Sequence, residues 1–184
     1  RDRIVLPAIQ AFSDERLLRM ASAEDFAGLE QVGELAWQMH DQPDAGLWEL
    51  RTRTAVHTYS SVMSWAACDR LANAADHLGL HDRAELWRER ADTVRKHIDA
   101  EAWHEVEGPE FEDHGAGGHY AATFGGEQLD ASLLQMVELR YVAADDPRFK
   151  ATLAAVQKAL RRGEHMLRYD SEDDFGLPET AFNI

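Results

Sequence analysis

The stretch Ser60–Ile98, SSVMSWAACDRLANAADHLGLHDRAELWRERADTVRKHI, decides the fold class. Its second half is the clearest helical pattern in the chain, because apolar residues recur every three or four positions among charged ones. They are Ala84, Trp87, Ala91, Val94 and Ile98. The first half predicts a helix over Ser60–Leu78 whose inner face carries Val62, Trp65, Ala66 and Leu71. Gly79 predicts a stop between them, so the stretch is an antiparallel helical hairpin.

The same reading extends outward from the hairpin. Ser22 or Asp25 is expected to cap a helix with Phe26, Leu29, Val32, Ala36 and Met39 on one face. Asp146-Pro147 predicts the start of another helix, with Phe149, Leu153, Val156 and Leu160 buried and Gly163 as its end. A further short helix, or the tail of a longer one, is expected over Ile4–Phe12.

β-Branched residues are sparse, so no strand is predicted. Trp103–Phe124 contains several glycines and has no helical period, which predicts an irregular loop. The fold class is therefore all-α, built of successive helical hairpins in one domain over 1–184. Periodicity does not distinguish a closed barrel from an open solenoid, and Ala74–Ala91 also fits a tetratricopeptide-like hairpin.

Composition excludes several functional classes. The apolar fraction of 45% and charged fraction of 29% are typical of a globular protein. A net charge of -15 argues against a nucleic-acid partner and an anionic membrane surface. No apolar run reaches the roughly 18 residues of a membrane span. The single cysteine, Cys68, excludes an internal disulfide framework. The first residues, Arg1-Asp2-Arg3, do not lead into a secretory signal, so a cytoplasmic location is expected.

The loop Pro43–Arg51, PDAGLWELR, is the candidate site. Proline, aspartate and glycine interrupt the helical pattern there. An indole offers apolar area to the C–H face of a sugar, and it can raise the pKa of a neighbouring carboxyl by excluding water. Trp48 beside Glu49 therefore indicates a sugar site with a general acid.

Two further stretches accompany this loop: Phe124–Leu134, FGGEQLDASLL, and Arg168–Asn183, which contains Arg168-Tyr169, Asp173-Asp174-Phe175-Gly176 and PETAFN. Together, in this order, the three stretches resemble glycoside hydrolase family 15, the glucoamylase, glucodextranase and trehalase-like enzymes. The resemblance covers most of the chain but only the middle of the family's catalytic domain. It implies part of an (α/α)6 barrel, a six-hairpin toroid.

The resemblance also implies roles for particular residues. Glu49 is the expected general acid, and the expected substrate-binding residues are Trp48, Arg51, His57, Arg168 and Asp173. Each of these residues also has a purely structural explanation. Glu49 is then a surface carboxylate, Trp48 anchors the core, and Arg51 forms a surface ion pair. Asp130 either binds sugar or caps a helix, and the cap is slightly favoured.

We expect the protein to need neither a metal ion nor a cofactor. His114 and His119 lie among acidic residues, but their spacing fits no standard metal motif, so a solvated loop is predicted. Proton transfer and a positioned water suffice for the expected chemistry, so no cofactor is required. The family's general base belongs to a later segment and is expected outside this sequence.

The resemblance therefore implies an inverting glycoside hydrolase that releases glucose from α-glucosidic linkages of an oligosaccharide or disaccharide. A trehalase of the same family is the alternative. A non-catalytic helical-hairpin binding module is the alternative from another class, and the unequal loops rich in Trp, Arg and acids argue against it. A homo-oligomer is left open by the sequence.

Overall fold

A computed structural model describes residues 12, 14, 19–49, 54–106, 116–173 and 176–177. Two compact units make up the chain, one from Arg1–Asp41 and Ser61–His97 and the other from Gln42–Ser60 and Ile98–Ile184. Of the helix predicted over Ile4–Phe12, all but Phe12 lies outside the described residues. Within the described ranges, no helix is both long and apolar enough to cross a membrane.

Helix α1 spans Ala23–Met39 and begins as the sequence predicts. The Ser22 side chain accepts a hydrogen bond from the Asp25 backbone N–H, and the Asp25 carboxylate accepts one from the Ser22 backbone N–H. This reciprocal capping box satisfies two donors that the helix cannot satisfy itself. The predicted buried face is only partly right, because Met39 is 50% exposed and Gly33 is buried.

The predicted hairpin is confirmed as helix α2, Thr58–His77, and helix α3, His81–Glu101. Gly79 has φ +72 at the stop between them. Every residue predicted for the inner face of either helix is buried, and so is Cys68.

In the first unit, side chains of α2 and α3 pack closely against Gly33 of α1. A Cβ at Gly33 would lie 2.1 Å from Leu71 Cδ1 and 3.1 Å from the Trp87 ring. The Glu30 carboxylate accepts hydrogen bonds from Trp87 Nε1 at 2.6 Å and Arg83 Nε at 2.7 Å. The glycine therefore lets α1 contact its neighbours, and Glu30 satisfies the indole N–H of a fully buried tryptophan.

The second unit contains strands, and the prediction of none is wrong. Strand β1, Trp103–Glu105, pairs antiparallel with strand β2, Gly118–Tyr120. A 3₁₀ helix then spans Ala131–Leu134, followed by helix α4, Gln135–Glu138, and helix α5, Pro147–Leu160. Strands β3, Arg161–Arg162, and β4, His165–Met166, form a hairpin after α5.

Strands of two or three residues are too short to show an alternating pattern, which is why the sequence did not predict them. Asp146 caps α5 and Pro147 is its first residue, as predicted. The helix ends at Leu160, however, and Gly163 lies in the turn between β3 and β4. Leu153 is only partly buried.

A polar cluster joins several elements of the second unit. The Asp99 carboxylate accepts hydrogen bonds from Tyr120 Oη at 2.7 Å and Tyr141 Oη at 2.9 Å. The Arg148 guanidinium lies 3.2 Å from the same oxygen. Burial, followed by the hydrogen bond to Asp99, raises the pKa of Tyr120. The cluster therefore links α3, β2 and α5 through one carboxylate.

Candidate active site

The loop that carries Trp48 and Glu49 is closed by backbone pairing. Asp44 pairs with Ala55 through hydrogen bonds of 2.9 and 3.2 Å. The Asp44 side chain also accepts a hydrogen bond of 2.8 Å from the Gly46 backbone N–H. This Asx turn starts the loop and explains why an aspartate stands two residues before the glycine.

Gly46 is required at its position for two reasons. Its φ is +67, which favours glycine, and a Cβ would lie 2.9 to 3.0 Å from atoms of the His57 ring. His57 in turn pairs with Thr123, and Thr58 donates through its backbone N–H to Ala122 O at 2.9 Å. The loop and the His57 imidazole are therefore packed together and held against residues 122–123.

Glu49 is exposed and has φ +55, in the left-handed region that non-glycine residues rarely adopt. Such a conformation costs roughly 1–3 kcal/mol and is found most often at functional sites. Its backbone N–H makes a long contact of 3.4 Å with Gly46 O. Glu49 is not among the residues that line the cavity described below.

The third stretch meets the first through aromatic and cationic groups. The Arg168 guanidinium lies 5.4 Å from the Trp48 ring centroid and 5.6 Å from that of Tyr169. Trp48 and Tyr169 have ring centroids 6.3 Å apart. Tyr169 Oη donates a hydrogen bond of 2.6 Å to Asp173. Arg168, Tyr169 and Asp173 thus form one group against the indole.

The second stretch is joined to the third by its aspartate. Asp130 pairs with Tyr169, and the Ala131 backbone N–H donates to Arg168 O at 2.8 Å. The Asp130 side chain accepts from the Ser132 backbone N–H at 2.7 Å and from the Ser132 hydroxyl. Asp130 therefore caps the 3₁₀ helix, as the favoured interpretation predicts.

A cavity of about 730 Å³ lies within the second unit and collects side chains from all three stretches. Trp48 comes from the first stretch, Asp130 from the second and Tyr169 from the third. Its other lining residues are Thr54, Ala55, His57, Ala122, Thr123, Glu127, Gln128, Leu129, Ala159, Leu160, Asp170 and Ser171. The volume is in the range of small-molecule sites.

The electrostatics of this cavity centre on Asp130, which is 7% exposed. Burial raises the pKa of the Asp130 carboxyl, whereas Ser132, the charge of His57 and the Trp48 N–H lower it. Trp48 Nε1 is buried without a well-formed hydrogen bond to any described residue. The indole N–H thus lies near the Asp130 carboxyl but outside hydrogen-bonding geometry.

The structure brings together most of the predicted site residues. Trp48 and His57 line the cavity, while Arg168 and Asp173 contact its aromatic side chains. Arg51 lies outside the described residues. Tyr169 was not predicted as a site residue, although it lies within the third stretch. No local pattern separates it from an ordinary core tyrosine.

The histidines among the acidic residues are not all in a solvated loop. His119 belongs to β2, is 5% exposed and contacts Tyr120 O through Nδ1 at 3.0 Å. Burial lowers the pKa of His119. His114 lies outside the described residues. The prediction of a solvated loop is wrong for His119, because strand pairing with β1 buries it.

Known proteins resemble this chain in sequence and in fold. A family model described as "Glycosyl hydrolases family 15" matches residues 7–174. A trehalase of Mycobacterium tuberculosis (strain ATCC 25618 / H37Rv) is 34% identical over 148 residues, 78% of this chain and 20% of that protein. A trehalase of Thermoplasma volcanium is 30% identical over 146 residues, 79% of this chain and 22% of that protein. The chain therefore spans about a fifth of the length of these curated relatives.

A solved structure extends the comparison to the fold. A bacterial glucoamylase crystallised with acarbose matches 98% of this chain and 29% of its own, with a TM-score of 0.66 at 19% identity. The mostly helical class and its place as part of an (α/α)6 barrel are confirmed by this similarity. At this identity the likeness concerns the fold alone.

Proposed function

The chain belongs to glycosyl hydrolase family 15, and from this membership we propose that it supplies the general acid and part of the sugar site of an inverting α-glucosidic hydrolase. One observation carries the proposal. Three stretches that are distant in the sequence contribute an indole, a buried carboxyl and a tyrosine to one cavity, through Trp48, Asp130 and Tyr169. Aromatic faces with a few convergent polar groups are the chemistry that sugar binding requires.

Glu49 is the proposed general acid. It donates a proton to the glycosidic oxygen as the bond to the anomeric carbon breaks, and the leaving sugar departs with a free hydroxyl. A water attacks the opposite face of the ring and gives its proton to a second carboxylate. That base is expected outside this sequence. Because Glu49 is exposed here, the exclusion of water around it during the reaction is assigned to bound sugar and Trp48.

The remaining groups bind and orient the sugar. Trp48 offers its ring face, while Arg168 and the Asp130 carboxyl face hydroxyl groups. The Tyr169–Asp173 hydrogen bond holds the third stretch in place. His57, packed on Gly46, keeps the loop that carries Glu49 close to the cavity wall.

α,α-Trehalose is the proposed substrate, and the ends of α-glucans are the second candidate. The curated relatives at about a third identity carry the name trehalase, which favours the disaccharide. The structurally similar protein is a glucoamylase crystallised with acarbose, so the ends of α-glucans are retained as the second candidate substrate. A homo-oligomer and a cytoplasmic location stay predictions.

The experiment is steady-state kinetics of the purified enzyme, in its natural full length, on trehalose and maltose. Glu49→Gln should lower kcat by roughly 10²–10⁴-fold while the circular dichroism spectrum is kept. Glu138→Gln, an exposed carboxylate on α4, is the matched control and should keep the parent rate. A Glu49→Gln enzyme that turns over normally would refute the assignment of the acid.

Sugar binding is tested separately by Trp48→Phe. The phenyl ring offers the sugar a smaller aromatic face than the indole does, so affinity should fall about 2–10-fold, the worth of one aromatic contact. Trp103→Phe is the control, because Trp103 packs on Tyr120 and does not line the cavity. Equal affinities for both variants and the parent would place the sugar elsewhere. Binding without turnover in the parent would favour the non-catalytic module.

A further inference from the structure

Two imidazoles and one carboxylate meet in the first unit, apart from the residues discussed above. His40, Asp41 and His97 each offer one ligand atom, and the three atoms lie within 4.8 Å of one another. All three residues are half-buried. Ligands of a tetrahedral zinc ion, each about 2.0–2.1 Å from the metal, lie about 3.4 Å apart. Small side-chain rotations would therefore bring these atoms to metal-binding distance.

The His40 ring is already held in one orientation. Its Nδ1 lies 2.6 Å from Trp37 O, so the neutral ring donates there and keeps its lone pair on Nε2. The ring also stacks on Trp37, with centroids 5.0 Å apart and planes at 16°. A histidine whose second nitrogen donates to a backbone carbonyl is the usual arrangement of a metal ligand.

The backbone around His40 is fixed as well. Ser61 is fully buried, and its hydroxyl donates a hydrogen bond of 2.6 Å to His40 O. The His40 and His97 rings meet in an edge-to-face arrangement, with centroids 5.7 Å apart and planes at 78°. This geometry brings the end of α1 and a residue of α3 together.

The local electrostatics favour a cation. His40 is the C-terminal cap of α1, where the helix dipole places partial negative charge. The last turn of α1, which is fully described, carries no basic residue to offset it. The nearby Arg90 guanidinium lies over Trp37 and is paired with Glu34. The Asp41 carboxylate adds a negative charge to the same place.

We infer that His40, Asp41 and His97 bind a divalent transition-metal ion of the zinc class, with water completing the coordination. Two imidazoles and a carboxylate suit zinc, cobalt or nickel better than magnesium or calcium, which prefer oxygen ligands. The ion would tie the end of α1 to α3. This site differs from the expectation, based on the sequence, that no metal is needed. The sequence gives no local sign of it, because Asp41 and His97 lie 56 positions apart.

Calorimetric titration of the metal-free protein, in its natural full length, with Zn²⁺ tests the inference. Co²⁺ is the spectroscopic probe, since its visible bands report imidazole coordination. The parent should bind one ion per chain, and the melting temperature should rise with added Zn²⁺. His97→Ala and the isosteric Asp41→Asn should each weaken binding more than about tenfold.

His77→Ala is the matched control, because His77 is exposed on α2 and outside the cluster. It should bind Zn²⁺ as the parent does. Absence of stoichiometric binding in the parent would overturn the inference. So would full affinity in His97→Ala and Asp41→Asn, or an equal loss in His77→Ala. Melting curves in chelator show whether each variant is folded before its affinity is compared.

Discussion

At the scale of single residues, the loop that carries Trp48 and Glu49 depends on Gly46. Replacement by alanine would force a Cβ to within 2.9 Å of the His57 ring at a φ of +67. Gly163→Ala is the matched control, since Gly163 has φ +63 with nothing within 4 Å of a Cβ. Gly46→Ala should destabilise the protein by about 1–3 kcal/mol more than the control does, the typical cost of overpacking. Equal losses in urea unfolding would show that His57 does not pack as described.

Glu49 carries backbone strain that its proposed role would justify. Glu49→Gly should raise the free energy of unfolding by up to about 1 kcal/mol, because glycine adopts φ +55 freely, and it should abolish turnover. Arg140→Gly, at an exposed residue with φ +58, should stabilise similarly without loss of activity. A destabilised Glu49→Gly protein, measured by denaturant unfolding, would contradict the strain argument.

The sequence predicts the site residues that lie together in one loop. It does not predict how residues from distant stretches are arranged around them. Trp48 and Glu49 stand out because an indole beside an acid is visible within one loop. The burial of Asp130 and its closeness to Trp48 depend on residues far apart in the chain, so no local pattern reveals them. The left-handed conformation of Glu49 is equally invisible, since glutamate rarely adopts it.

At the scale of elements, the start of α1 gives a pH-dependent prediction. Hydrogen bonds from Arg19, then from Ser22, hold the pKa of the Asp25 carboxyl below its ordinary value of 3.8. A depressed folded-state pKa contributes stability above the unfolded-state pKa and loses it as the pH falls toward the folded-state value. The melting temperature of the parent should therefore exceed that of Asp25→Asn near neutral pH, and the gap should shrink below about pH 3.8. A gap independent of pH would contradict this account.

The Asp99 cluster predicts a larger loss in the second unit. Asp99→Ala leaves two tyrosine hydroxyls and the Arg148 guanidinium without their shared acceptor. The free energy of unfolding should fall by about 2–4 kcal/mol, since buried donors are then unsatisfied. Asp92→Ala, an exposed aspartate on α3, is the control. A loss below about 0.5 kcal/mol in urea unfolding would mean that the cluster is not buried as described.

The helices could be predicted from the sequence and the strands could not. The 3.6-residue period of α3 buries Ala84, Trp87 and Val94 as expected. Each of the four strands found among the described residues has two or three residues, and residues 106–117 separate β1 from its partner β2. Such pairing is set by tertiary packing, here by Thr152 of α5, whose hydroxyl accepts from the Tyr120 N–H.

At the scale of the whole molecule, family membership and cavity geometry support one another. The family model covers residues 7–174, and the three stretches that resemble the family line or contact one cavity. The chain spans about a fifth of the length of the curated trehalases that it matches. The proposed division places the acid and part of the sugar site here and the base elsewhere.

The central claim is inverting hydrolysis at this site, and the most direct test is anomer-resolved proton NMR of glucose released by the natural full-length enzyme. Trehalose should give one β-glucose and one α-glucose per molecule before mutarotation, because inversion changes only the attacked carbon. Glu49→Gln should release neither. Two α-glucose molecules per trehalose would mean retention of configuration and would contradict the account, as would the absence of glucose from both trehalose and maltose.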